Sequence, residues 1–347
     1  MKIKNILTQS LLFVLCPFVS NAIEYRNNNW LFELDADGMI GFLTPKAEKA
    51  ILIDDWDVKA RILHNLNTTQ RVGLTYSIDA ACVDDDEYIH DAFLLFEDKN
   101  YGRVEFGLTN SIARKMGLGV PDVGHLRINN KSILYNKLNL KSVLISDTTA
   151  TTGHEALRLN LATTPTQYGQ YGLSVSGLND DYDYAIDMAF KIKQSSGKLK
   201  RAYSIALSYM DDPKDYSENT YSPSVTANWR GQMALGANLQ YNSWIFGVSG
   251  RLIYDDKPIG LTTDGLVVGT GITYDLLQTS VSITYLFSDT NLWNHHDEMG
   301  NKYNGLGYVH TTYASFRYKY SEGTSLFMSG GFMDTTPFFA VGIKSGF

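Results

Sequence analysis

Several familiar solutions are closed to this sequence by what it lacks. It has two cysteines in 347 residues, and Cys16 falls in an N-terminal stretch that reads as removable. Cys82 is then left without a partner, which excludes an internal disulfide. Basic charge is not in excess: 30 Lys and Arg stand against 37 Asp and Glu, a net of −7, which excludes a nucleic-acid binder by charge. Beyond residue 22 no run approaches the ~18 consecutive apolar residues of a membrane-crossing helix. Proline is scarce, 8 residues against 29 glycines. With 44% hydrophobic and 12% aromatic residues, that composition suits a chain of alternating strands, which can cross a membrane without being hydrophobic on average.

What is present begins with MKIKNILTQSLLFVLCPFVSNA. Lys2 and Lys4 form a basic start, Ile6 to Val19 a short apolar run, and Ser20-Asn21-Ala22 place small residues at −3 and −1. This is the layout of a secretory signal cleaved after Ala22. Leu15 precedes Cys16 where a lipid-attachment signal wants a small residue, which argues against a lipoprotein. The remaining length, 23–347, could hold two ordinary domains, but large β-barrels run this long as one unit.

After the signal, apolar and polar residues alternate. Trp30, Phe32, Leu34, Ala36, Ile40 and Phe42 share one parity, and Glu33, Asp35 and Asp37 take the other. Trp56/Val58/Ala60/Ile62 oppose Asp57/Lys59/Arg61, Val104/Phe106/Leu108 oppose Arg103/Glu105, and Tyr182/Tyr184/Ile186/Met188/Phe190 oppose Asp183/Asp187/Lys191. On a strand this separates an apolar face from a charged one. Segments of ~10 such residues match a tilted bilayer crossing.

Strands are expected near 30–43, 56–66, 70–79, 90–97, 102–109, 155–163, 170–178, 182–192, 200–210, 232–241, 244–255, 265–275, 278–288, 307–320, 325–334 and 338–347. That makes sixteen, the even number of a single-chain bacterial barrel. Pairing by 132–146 or 223–230 would raise it to eighteen. Tight connectors alternate with mostly longer ones at 44–55, 80–89, 110–154, 211–231, 256–264 and 289–306. Short turns on one rim and long loops on the other fit an all-β transmembrane antiparallel barrel, and a soluble sandwich has no reason for them.

The final segment, Phe338 to Phe347, puts Phe339, Val341, Ile343 and Phe347 on one face and stops on an aromatic. It resembles the C-terminal assembly signal of outer-membrane proteins, and specifically the ending of Gram-negative porins. Tyr318 to Phe327 is similar to the penultimate hairpin of that family. Asp91 to Leu108 resembles the hairpin leading into its constriction loop, and Ser111 to Gly124 the start of that loop in alphaproteobacterial porins. Ser345 departs from the pattern, and the acidic P-E-F-G-G loop motif is absent. The resemblance is to general diffusion porins. It implies a passive channel for small hydrophilic solutes and ions in a Gram-negative outer membrane, and a homotrimer among lipid and lipopolysaccharide, inserted by the outer-membrane assembly machinery. It implies no cofactor and no enzymatic activity.

A charge on the lipid face costs roughly 2–4 kcal/mol at mid-depth, so the charged parity must line the lumen. That places Lys59, Arg61, Arg71, Arg103 and Arg158 inside, on strands near one another in sequence. The resemblance further implies that the third long connector, 110–154, folds inward as a constriction. Its acids are Asp122 and Asp147, against Arg114, Lys115, Arg127, Lys131, Lys137 and Lys141. A weak transverse field with a leaning toward anions is expected.

Other signals carry less. His295-His296-Asp297-Glu298 has metal-ligand residue types, but consecutively in an expected loop. Asp84-Asp85-Asp86-Glu87 reads as a charge run, and Asp35-Ala36-Asp37-Gly38 fails as a calcium loop because Lys46 takes the twelfth position. No metal site is expected. Two other functions stay open: an outer-membrane enzyme barrel, for which no Ser/His or paired-acid site is apparent, and an adhesin or surface antigen whose loops bind a partner.

Overall fold

The computed structural model describes residues 23–44, 50–81, 86–124, 143–144, 157–177, 185–212, 228–255, 265–289 and 308–346. The strands in chain order are β1 (Ile23–Asn27), β2 (Trp30–Thr44), β3 (Ile51–Asn65), β4 (Gln70–Ala81), β5 (Asp86–Asp98), β6 (Gly102–Leu108), β7 (Leu157–Thr163), β8 (Gln170–Ser176) and β9 (Ala185–Ser196). They continue with β10 (Leu199–Asp212), β11 (Asn228–Tyr241), β12 (Trp244–Asp255), β13 (Gly265–Asp275), β14 (Thr279–Asp289), β15 (Tyr308–Lys319), β16 (Thr324–Met333) and β17 (Thr336–Gly346). One helical turn, α1 (Ile112–Met116), follows β6.

From β2 to β17 each strand pairs antiparallel with the next. The ring closes where Phe339 to Gly346 of β17 meet Thr44 to Asp37 of β2. Closure leaves no sheet edge to be satisfied by solvent, the condition for strands in hydrocarbon. The result is a sixteen-stranded barrel, as the alternation predicts. β1 is additional: a five-residue hairpin arm on the first residues of β2, beside the position where β17 ends. The pattern missed it because five exposed residues carry no readable period.

Period two decides what faces where. Large apolar residues of one parity point away from the barrel axis: Phe42, Leu94, Met188, Leu235, Val248 and Ile283 are all exposed. The opposite parity turns inward and is largely polar and buried, with Thr75, Ser77, Glu105, Asn160, Ser204, Ser249, Ser282 and Ser315 among it. Among the described residues no helix is long and apolar enough to cross a membrane, which says nothing of the strands.

Most predicted bounds hold to within a few residues. β3 begins at Ile51, β5 at Asp86 and β11 at Asn228, earlier than expected. These starts break the alternation, as in Ile51-Leu52-Ile53-Asp54-Asp55, although the ladder continues through them. Residues 228–230 of the doubtful stretch 223–230 open β11 rather than forming an extra strand. Two-residue turns open on a residue with positive φ at Asn28, Gly197, Asn242 and Asp334, residue types that tolerate the left-handed region and match hairpin twist.

Residues 1–22, Cys82, Asp84, Asp85, 132–142, Asp147, 295–298 and Phe347 lie outside the described residues.

Candidate functional site

The inner parity forms a polar wall, and the segment after β6 lies against it. Ser111 caps α1 by accepting from the Arg114 amide. α1 buries Ile112, Ala113 and Met116 against Ala162, Ala189, Ala206 and Ala234, small inward residues of β7, β9, β10 and β11. A helical turn fits there because each wall position offers only a methyl group.

Beyond α1 the chain continues extended, and strand after strand supplies a side chain to its backbone. The Ser174 hydroxyl of β8 accepts from Ile112 N at 2.6 Å, and Ser204 of β10 from Leu118 N at 2.9 Å. Asn238 of β11 donates to Gly119 O at 3.3 Å. Ser249 of β12 donates to Leu118 O. Ser282 of β14 accepts from Val123 N at 3.1 Å and donates to Asp122 Oδ1 at 2.9 Å. Glycine supplies the remaining room: a Cβ on Gly236 would collide with Leu118 O, and one on Gly271 would lie 2.5 Å from Pro121 O. Val120 and Val143 join a buried cluster with Met39, Leu43, Val267, Leu286, Tyr313, Phe327 and Phe338. Residues 109–124 thus rest on the inner face from β7 round to β15.

The wall on the other side carries charge. Lys59, Arg61, Arg71, Arg103 and Arg158 all take the inward parity, on β3, β4, β6 and β7. Acids are interleaved with them. Arg61 lies 2.9 Å from Glu33 and 3.8 Å from Asp35, and Lys59 stands opposite Asp35 in register. Arg71 donates to Glu97 at 2.6 Å, and Glu97 stands between Arg71 and Arg103 across the two ladders. Lys344 lies 2.5 Å from Asp37. Arg158 is fully buried and donates to Thr109 O at the root of the inner segment.

The root has its own ion cluster. Glu105, 3% exposed, receives Lys115 at 2.6 Å, Asn160 at 2.9 Å and Arg103 at 3.4 Å. Here the acid is on the wall and the base on the inner segment. Asp122 lies beside Ser282 and the Gly124 amide, which donates at 3.0 Å. Burial pushes its pKa up to about 6, and its hydrogen bonds only partly offset that.

Sequence reasoning placed Glu105 on the charged parity without singling it out, and it missed Glu97, Arg251 and Arg317 as lumenal groups, although their parity was readable. It also missed the hydroxyl seat. Phe339, Val341 and Ile343 lie on the outward face of β17, each about two-fifths exposed.

No protein-family model matches this sequence, and no curated protein matches it. Solved structures do. OmpF of Salmonella typhi in complex with daunomycin is similar with a TM-score of 0.65 at 10% identity, over 94% of this chain and 100% of that one. The anion-selective porin from Comamonas acidovorans is similar at 0.60 and 11%, over 92% and 100%. A Rh. blastica porin mutant is similar at 0.56 and 13%, over 91% and 100%. At such identities the likeness is one of fold, and the fold of this chain is the sixteen-stranded antiparallel barrel of the porins.

Proposed function

We propose that the chain is a passive, water-filled channel of the Gram-negative outer membrane, passing small hydrophilic solutes and ions by size and charge. The observation that carries this reading is the pairing of an apolar outer parity with a polar inner one around a closed ring, with residues 109–124 seated on one side of the interior. An apolar exterior needs hydrocarbon around it, and a polar interior has no use without water. The seated segment narrows the passage and leaves the wall of β2 to β6 facing it, so Lys59, Arg61, Arg71 and Arg103 line the route. Arg158 and Asp122 hold the segment from either end.

Export through a cleaved 1–22 signal, insertion by the assembly machinery, homotrimeric packing, contact with lipopolysaccharide and an alphaproteobacterial type of constriction over 110–154 belong to the same proposal. Solved porins of the same fold support the channel part of this reading, and one of them is anion-selective. Liposome swelling tests it: vesicles containing the protein take up small sugars at rates that fall with solute size. Swelling no faster than in protein-free vesicles would remove the channel reading.

A further inference from the structure

The turn end of the hairpin β9–β10 concentrates basic charge. Lys191, Lys193, Lys198, Lys200 and Arg201 lie within eleven residues that contain no acid. Lys191 and Lys193 share the inward parity of Asp187 and Ala189, and Lys200 shares that of Ser204 and Ala206. Three ammonium groups therefore face the lumen from one hairpin, and Arg201 takes the outward parity beside Tyr203. The register fixes their heights. Lys191 stands opposite Ser204, Lys193 opposite Ala202 and Lys200 opposite Ser195. At 3.3 Å per residue they descend over about 13 Å from the level of Ser204 toward the Gly197 turn. The top of that line coincides with the inner segment, since Ser204 is the residue that accepts from Leu118 N.

Among the described residues their inward neighbours across the ladders are neutral. Lys191 faces Gln170 on β8, Lys200 faces Gln240 on β11, and Asn238 stands beside Ala202. Arg61, Arg71, Arg103, Lys115, Arg317 and Lys344 each lie within ion-pair distance of a carboxylate; among the described residues the three lysines have no such partner. Like charges two residues apart on a strand repel, so a row of this kind costs stability when empty and is relieved by an anion. Gln170, Asn238 and Gln240 beside it each give one amide N–H to a backbone carbonyl, of Thr163, Gly119 and Asn242, and each keeps a second N–H.

We propose that Lys191, Lys193 and Lys200 form a binding row for small multivalent oxyanions, phosphate-like or polycarboxylate in chemistry, at the short-turn mouth of the lumen. The row collects such anions and leads them to the level of the seated segment. This rests on the channel reading for its purpose, but not for its test.

The test is equilibrium binding of inorganic pyrophosphate to the full chain folded in detergent at low salt, with folding checked by heat-modifiable gel migration. Lys191→Gln/Lys193→Gln/Lys200→Gln is compared with Lys198→Gln/Arg201→Gln, which removes charge from the turn and the outer face of the same hairpin and keeps the three lysines of the row. The triple variant loses about tenfold or more in affinity, and the double variant stays within about twofold of wild type. Three results would overturn the proposal: no binding by wild type at millimolar pyrophosphate, undiminished binding by the triple variant, or an equal loss in the double one. Failure to conduct in bilayers would remove the channel reading and leave the binding result standing.

Discussion

The ammonium of Lys115 lies 2.6 Å from the Glu105 carboxylate and 4.8 Å from the centre of the Phe93 ring. The contact joins α1 to the strand that leads into it. Desolvation pulls the Lys115 pKa below the usual lysine range, while Glu105 beside it opposes the fall. Removing one partner of a buried pair leaves the other charge uncompensated. Glu105→Gln leaves Lys115 only the Thr109 hydroxyl and the Asp91 carboxylate as partners, and the barrel loses about 3 kcal/mol. Lys115→Met costs less, because Arg103 and Asn160 still serve Glu105. Urea unfolding in detergent gives both values, and equal costs would contradict the asymmetry.

Gly236 and Gly271 leave space that the inner segment fills. Gly236→Val pushes a side chain into Leu118 O and costs about 1–3 kcal/mol, most of it as displacement of the segment. Hydrogen exchange at Leu118 and Gly119 should quicken by tenfold or more. Gly197→Ala, strained in a turn at φ 58°, should leave those amides unchanged. If Gly236→Val leaves them unchanged as well, the segment is not seated on β11.

Asp122 makes the seating depend on pH. Its folded pKa of about 6 lies above the ordinary 3.8, so the folded state binds the proton more tightly than the unfolded one. The stabilisation is complete below about pH 4 and is lost as pH rises through about 6, at most roughly 3 kcal/mol. Asp122→Asn keeps an acceptor for Ser282 and the Gly124 amide, so it should hold the acid-state stability at neutral pH. Stability measured from pH 4 to 7.5 should decline in wild type and stay flat in the variant across the 4 to 6 window. A decline of equal size in both would assign the pH dependence elsewhere.

Parity governs where charge is tolerated. Val248, in the middle of β12 and half exposed on the outer face, should not accept lysine: Val248→Lys costs roughly 2–4 kcal/mol in a bilayer. Gln240→Glu adds a charge to the inner face opposite Lys200 and shifts stability by less than about 1 kcal/mol. Unfolding from lipid vesicles separates the two, and equal costs would contradict the assignment of faces.

The barrel was legible because period two survives in nearly every strand, and most long apolar side chains declare the outer face, Met39, Leu43, Phe327 and Phe338 being exceptions. The turn at Asn242-Ser243 was legible for the same local reason, whereas the one expected at Ser195-Ser196-Gly197 falls at Gly197-Lys198, because Ser195 and Ser196 still pair with β10. The seat was not. Asp122 meets Ser282 across 160 positions, and Ser204 and Ser249 look like any small polar strand residues until the chain is wrapped. The charged wall was half legible. Arg61 and Arg71 could be assigned inward by alternation, but their pairing with Glu33 and Glu97 depends on cross-strand register, which periodicity alone does not fix.

The most direct measurement is single-channel recording in planar bilayers. The channel account predicts stepwise, ohmic conductance, rising in groups of three as trimers insert, with a reversal potential in a salt gradient that favours anions. A folded, inserted protein that gives no steps would contradict the account.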